Sequence, residues 1–99
     1  MTPPTPLALA HQACLARRVL PPGAAFPGTA AEVRDLAVYA GRISLTLQGA
    51  LEAYADALDY RDEAMALPPG ERRMPLLLKA QAREQDAAAG FRVDAPVPR

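Results

Sequence analysis

Two copies of the tripeptide Pro-Pro-Gly, at 21–23 and 68–70, limit what this 99-residue chain can fold into. Proline cannot continue a helix, and glycine commonly follows a helix end, so each tripeptide is predicted to end a helix. Around these stops the apolar residues recur at the three- and four-residue spacing of helices. The sequence therefore predicts an all-α fold of three helices, about 6–20, 29–67 and 72–89.

Capping residues predict where the first two helices begin. Thr5 precedes Pro6, and proline is favoured at the first helical position. Thr29 is followed three residues later by Glu32, which is a capping box. Its hydroxyl and carboxylate are each expected to accept a hydrogen bond from a backbone amide of the first turn.

One helical domain is predicted to span residues 1–99, with loosely ordered ends. Pro75 lies near the start of the third helix, and Gly90 is predicted to end it. The Pro-rich residues 1–5 and the segment FRVDAPVPR at 91–99 are both predicted to be irregular.

The stretch GRISLTLQG, at 41–49, admits two interpretations. Its residues alternate between polar and apolar, as in a half-buried strand, but such a strand would have no second strand to pair with. An apolar stripe instead passes through the stretch in helical phase. Its members are Val33, Leu36, Ala40, Ile43, Leu47, Leu51, Tyr54, Leu58 and Met65. The stripe predicts one continuous central helix over 29–67.

The length of this central helix suggests self-association. At the standard rise it would span roughly 57 Å, which the shorter flanking helices cannot cover. Part of its stripe would be exposed in a monomer, and a second copy of the chain would hide it. The chain is therefore predicted to complete its bundle as a homo-oligomer, with a dimer favoured.

Four residues of the central helix form a candidate interface: Val38, Gly41, Leu45 and Gly49. The two branched side chains point away from the main stripe, and the glycines flank them on the same side. Glycine lowers helix propensity, so a packing reason for it is expected. Either the first helix covers this side, since a helix packed from two sides has two apolar faces, or a partner binds there.

Four carboxylates of the central helix fall in one row: Glu52, Asp56, Asp59 and Glu63. Their mutual repulsion needs compensation, and the third helix carries a basic row. An antiparallel hairpin about Leu67 and Pro68 would pair Arg72 with Glu63, Lys79 with Asp56, and Arg83 with Glu52. A charge-paired hairpin, or simply a solvated face, is the first interpretation of this row.

A divalent-metal site on the same acidic row is the alternative interpretation. All-helical enzymes hold such metals with carboxylates from facing helices. Here the acids come from one helix, and the facing helix offers cations. A metal-dependent helical enzyme using Glu52, Asp56, Asp59 and Glu63 is thus the alternative function.

No cofactor is predicted. His11 and Cys14 share a helix face at a spacing that two zinc ligands could have, but the chain has no second His or Cys to complete a site. A Cys/His nucleophile pair would need an orienting acid and a pocket. A buried thiol beside a partly exposed imidazole is the simpler expectation, and no phosphate-binding loop is present.

Charge and composition narrow the class of protein. With 11 basic and 11 acidic residues, the chain lacks the excess positive charge from which nucleic-acid binding gains most of its affinity. Nucleic-acid binding through Arg17, Arg18 and the third helix is a third, weaker possibility. No apolar run is long enough for a membrane span and no basic n-region of a secretory signal is present, so a cytoplasmic protein is expected. The arginine-, alanine- and proline-rich composition suggests a GC-rich bacterial genome.

The function predicted from the sequence is a small, non-enzymatic protein–protein interaction module. Such a module could be an adaptor, a chaperone-like protein or a regulatory subunit. It is predicted to self-associate through the long helix and to bind another protein, whose identity the sequence does not specify.

Overall fold

A computed structural model of the chain describes residues 4–94, and within this range the fold is entirely helical. Its elements are α1 (Pro6–Ala16), α2 (Ala30–Ala40), α3 (Leu45–Ala66) and α4 (Arg73–Asp94). The all-α class is confirmed. The prediction of three helices is wrong for the described residues, because the long central helix is two helices.

The break in the predicted central helix lies at residues 41–44. Gly41 ends α2, and Ser44 has an extended backbone from which its side-chain oxygen accepts a hydrogen bond from the Leu47 amide at 3.1 Å. Serine is among the preferred N-cap residues, and this bond satisfies one of the unpaired amides in the first turn of α3. α2 folds back on α3, and Val33 of α2 and Leu47 of α3 are fully buried in one core.

Consecutive antiparallel hairpins then place α3 between α2 and α4. Arg34 of α2 donates hydrogen bonds to Asp56 and Asp59 of α3. Arg83 of α4 donates a hydrogen bond to Asp56 from the other side. α1 packs mainly on α4 and to a lesser extent on α3. The predicted antiparallel hairpin of the last two helices is therefore present, with a second hairpin before it.

The core is made largely of alanine, with a few large side chains at its centre. The largest fully buried side chains are Phe91, Leu47, Leu51, Val33 and Cys14. Tyr54 lies between Phe26 and Phe91, with ring centroids 5.7 and 6.3 Å away in edge-to-face geometry. Small alanine side chains allow the helices to approach closely, and the aromatic rings fill the space that they leave.

Two predicted helix starts are confirmed by their caps. The Ala8 amide donates to Thr5 Oγ1 at 3.1 Å, and the Glu32 amide donates to Thr29 Oγ1 at 3.2 Å. The Glu32 carboxylate accepts a hydrogen bond from the Thr29 hydroxyl at 2.7 Å, which holds the capping side chain in place.

The second Pro-Pro-Gly stop is confirmed, whereas the first helix ends earlier than predicted. α3 ends at Ala66, and Arg73 Nε donates to the Leu67 carbonyl oxygen at 2.8 Å. α1 ends at Ala16 rather than near Leu20, because Arg18 adopts a left-handed backbone with φ of 59°. This turn brings Val19 into the core.

The predicted end of the last helix at Gly90 is wrong. α4 continues to Asp94, so the first four residues of the predicted irregular tail are helical, and Phe91 is fully buried. Residues 1–3 and 95–99, also predicted to be loosely ordered, lie outside the described residues. Among the described helices, none has the length and apolar content that a membrane crossing requires.

Candidate interaction surface

The structure leaves the two branched residues of the candidate interface exposed to solvent. Val38 on α2 is 65% exposed and Leu45, the first residue of α3, is 77% exposed. α1 packs on α4 and α3, so the interpretation in which the first helix covers Val38 and Leu45 is wrong. Two large apolar side chains therefore face water near the α2–α3 turn.

The two glycines of the candidate interface have different surroundings. A Cβ built on Gly41 would lie 2.7 Å from the side-chain amide carbon of Gln48, so this glycine makes room for a residue of the same chain. A Cβ on Gly49 would have no heavy atom within 4 Å among the described residues outside its own helix. Gly49 is therefore open to solvent, and only Gly41 has an intramolecular packing reason.

A second exposed apolar group lies near the α3–α4 turn and was not predicted as a surface. Its members are Met65, Met74 and Leu78, each more than half exposed. The signal was available, since Met65 continues the apolar stripe of α3. α1 and α2 have 11 residues each and α3 and α4 have 22, so the short helices do not cover the distal hairpin.

Arginines from both neighbouring helices compensate two of the four carboxylates in the acidic row, Asp56 and Asp59. Arg34 Nη2 donates to Asp56 Oδ1 at 3.0 Å and to Asp59 Oδ2 at 2.6 Å. Arg83 Nη2 donates to Asp56 Oδ2 at 3.0 Å and its Nη1 to Asp86 Oδ2 at 3.2 Å. Hydrogen bonds to Asp59 and Asp56 raise the pKa of Arg34, which keeps this bridging cation charged. Asp56 and Asp59 thus belong to a partly exposed ion-pair network that links three helices.

The ion pairs differ from the predicted register by one helical turn. Arg83 faces Asp56 rather than Glu52, and Lys79 Nζ lies 5.8 Å from the centroid of the Tyr60 ring rather than at Asp56. Arg72 forms no ion pair with Glu63 within residues 4–94. A further ion pair, which was not predicted from the sequence, joins Arg61 of α3 to Glu84 of α4.

The structure does not group these carboxylates as metal ligands. In the described range, no group of three or more His, Cys, Asp or Glu side chains is arranged to hold a metal ion. Glu52 and Glu63 are exposed, while Asp56 and Asp59 face guanidinium groups. At Asp56 and Asp59, guanidinium groups therefore occupy the positions that a metal would need.

His11 and Cys14 serve the fold. His11 Nε2 lies 2.8 Å from the carbonyl oxygen of Ala24; since that oxygen only accepts, the ring nitrogen donates and ties the 19–28 loop to α1. Cys14 is fully buried in the core. The thiol is thus inaccessible to substrate, and the two side chains have separate structural roles.

We expect the half-buried Tyr54 to make the stability of the fold depend on pH in the alkaline range. Burial raises the pKa of Tyr54; the Glu84 carboxylate raises it further, and Arg61 opposes this. The unfolded chain ionises this tyrosine near pH ~10, whereas the folded chain holds the proton to higher pH. The resulting stabilisation is fully present below pH ~10 and is lost as the pH rises through the folded value.

We therefore expect Tyr54→Phe to reduce the loss of stability at alkaline pH. Urea unfolding of both proteins, followed by circular dichroism at about pH 8 and at several values above pH ~10, measures this loss. Each protein is its own control, because only the change with pH is compared. An equal alkaline loss in both proteins would contradict the assignment to Tyr54.

Comparisons of the chain with protein-family models, with curated proteins and with solved structures found no match. Functional inference for this chain therefore depends on its own surface.

Proposed function

We propose that this protein is a small, non-enzymatic interaction module that self-associates as a dimer and, as a dimer, binds another protein. The observation that carries the proposal is the exposure of Val38 and Leu45 near the α2–α3 turn. Large exposed apolar side chains favour association, because burying them removes apolar surface from water.

Exposed side chains, rather than the length of one helix, support self-association. The predicted uncovered helix of roughly 57 Å is absent, since α2 folds back on α3. The support now comes from surface residues that a compact monomer leaves in water. The alternative of a metal-dependent enzyme gains no supporting observation, because arginines face the acidic row.

Replacing Leu45 with glutamate tests self-association. The variant should weaken the dimer by at least tenfold, on the order of the ~1.4 kcal/mol that a tenfold change represents, because it puts a charge into the interface. It should not harm the monomer, since a negative charge in the first turn of α3 is favourable for the helix dipole. Light scattering after size exclusion, over a range of concentrations, measures the dissociation constant.

Leu78→Glu is the matched control, because Leu78 is 57% exposed and lies on the distal part of α4. It introduces the same charge at a similar exposure and should leave the dimer intact. A native protein that is monomeric at every concentration contradicts the proposed self-association. Equal effects of the two glutamates would place the interface elsewhere.

A further inference from the structure

The outer face of α2 carries opposite charges on the two sides of an apolar residue. Asp35, Val38 and Arg42 are three and four residues apart, a spacing that places them on one face of a helix. Arg42 follows α2, but Gly41 keeps right-handed helical backbone and the Arg42 amide donates to the Tyr39 carbonyl at 3.2 Å. The face therefore continues through the turn.

This face is solvent-exposed along its whole length. α2 turns four small or branched residues into the core: Ala30, Val33, Ala37 and Ala40. Asp35, Val38, Tyr39 and Arg42 are all exposed. Neither Asp35 nor Arg42 forms an ion pair with any residue in the range 4–94, whereas the neighbouring Arg34 is turned toward α3.

We propose that a second copy of this chain packs antiparallel on this face, so that Asp35 of each copy pairs with Arg42 of the other. This inference rests on the proposed self-association and identifies the surface that mediates it. In a two-fold symmetric dimer the axis passes between Val38 and Tyr39, the midpoint of Asp35 and Arg42 in the sequence. The Asp35–Arg42 ion pair then occurs twice, once on each side of an apolar centre formed by Val38 and Tyr39 of both copies.

Charge complementarity selects both the occupant and its direction. A parallel arrangement would set Asp35 against Asp35 and Arg42 against Arg42, and like charges in contact oppose binding. In the antiparallel arrangement, Asp35 and Arg42 of each copy are both neutralised by the other copy, without a third molecule. Because α2 has only 11 residues, the contact is short, so the dimer should be weak and dependent on concentration and on salt.

Charge reversal tests the pairing. Native protein, Asp35→Arg, Arg42→Asp and the double variant are compared by sedimentation velocity over a range of concentrations. Each single reversal should weaken the homodimer by at least tenfold, since it creates two like-charge contacts. The double variant should return to within about threefold of the native dissociation constant, because the pairs re-form with exchanged signs. An equimolar mixture of the two single variants should form a heterodimer.

Glu71→Arg and Arg72→Asp are matched controls that make the same charge changes at exposed positions near the α3–α4 turn. They should leave the dissociation constant unchanged. A native protein that stays monomeric would overturn the proposed self-association together with this inference. A native dimer that tolerates Asp35→Arg and Arg42→Asp as well as it tolerates the controls would overturn only the α2 pairing.

Discussion

Replacing Phe91 with alanine should lower the free energy of unfolding by about 3–5 kcal/mol, the largest single-residue effect we expect in this chain. Phe91 is the largest fully buried side chain, and its ring packs edge-to-face on Tyr54. Truncation removes this contact and leaves a cavity among alanine side chains that are too short to fill it. This loss is a large share of the free energy of unfolding of a typical native domain, which is ~5–15 kcal/mol.

Val93→Ala is the control for Phe91→Ala, because both residues lie in the last turns of α4 and Val93 is 70% exposed. It should change stability by less than about 0.5 kcal/mol. Urea unfolding at one fixed protein concentration compares the variants, since self-association makes stability depend on concentration. A loss for Phe91→Ala that is no larger than the loss for Val93→Ala would mean that the end of α4 does not complete the core.

Local chemistry explains which parts of the fold the sequence could predict. The Pro-Pro-Gly at 68–70 stops a helix by covalent constraint, and the threonines at 5 and 29 cap helices with bonds three residues away. These effects do not depend on distant residues. The exposure of Val38 and Leu45 likewise agrees with their positions off the apolar stripe.

The break at 41–44 was missed because the spacing of apolar residues in the sequence does not change there. In the sequence, apolar residues recur every three or four positions through the turn, although Ile43 in the turn is 43% exposed and the helix does not continue. Periodicity therefore cannot distinguish one long helix from two helices that fold on each other. The only local signal is Ser44, a preferred N-cap residue shortly after a glycine.

The predicted register of α3 against α4 is wrong by one helical turn, for a different reason. Charged residues recur every three or four positions along both helices, so Arg83 finds a carboxylate at Glu52 or at Asp56. Exposed ion pairs contribute only ~0–1 kcal/mol each and cannot decide between two such registers. Packing is the stronger determinant, and α3 and α4 approach closely at Gly90, where a Cβ would lie 2.7 Å from the Ala50 Cβ. A glycine that the local sequence presents as a helix end is in fact a contact point between helices.

The two helical glycines at 49 and 90 should therefore respond to alanine in opposite directions. Gly90→Ala should lower the free energy of unfolding by about 1–2 kcal/mol, because the added methyl overlaps Ala50 and the helices must separate. Gly49→Ala is the matched control. It has open space for the methyl and should gain about 0.5–1 kcal/mol from higher helix propensity.

A double-mutant cycle identifies the contact responsible. Ala50→Gly should weaken the native protein, because it places a second glycine in the interior of α3. Combined with Gly90→Ala it should restore part of the lost stability, with a coupling of about 1 kcal/mol or more, because the methyl then projects from α4 instead of α3. Additive effects, or a gain for Gly90→Ala equal to that for Gly49→Ala, would mean that this contact does not set the register. The register would then depend on other contacts between α3 and α4, among them the ion pairs Arg83–Asp56 and Arg61–Glu84, which are partly exposed and individually weak.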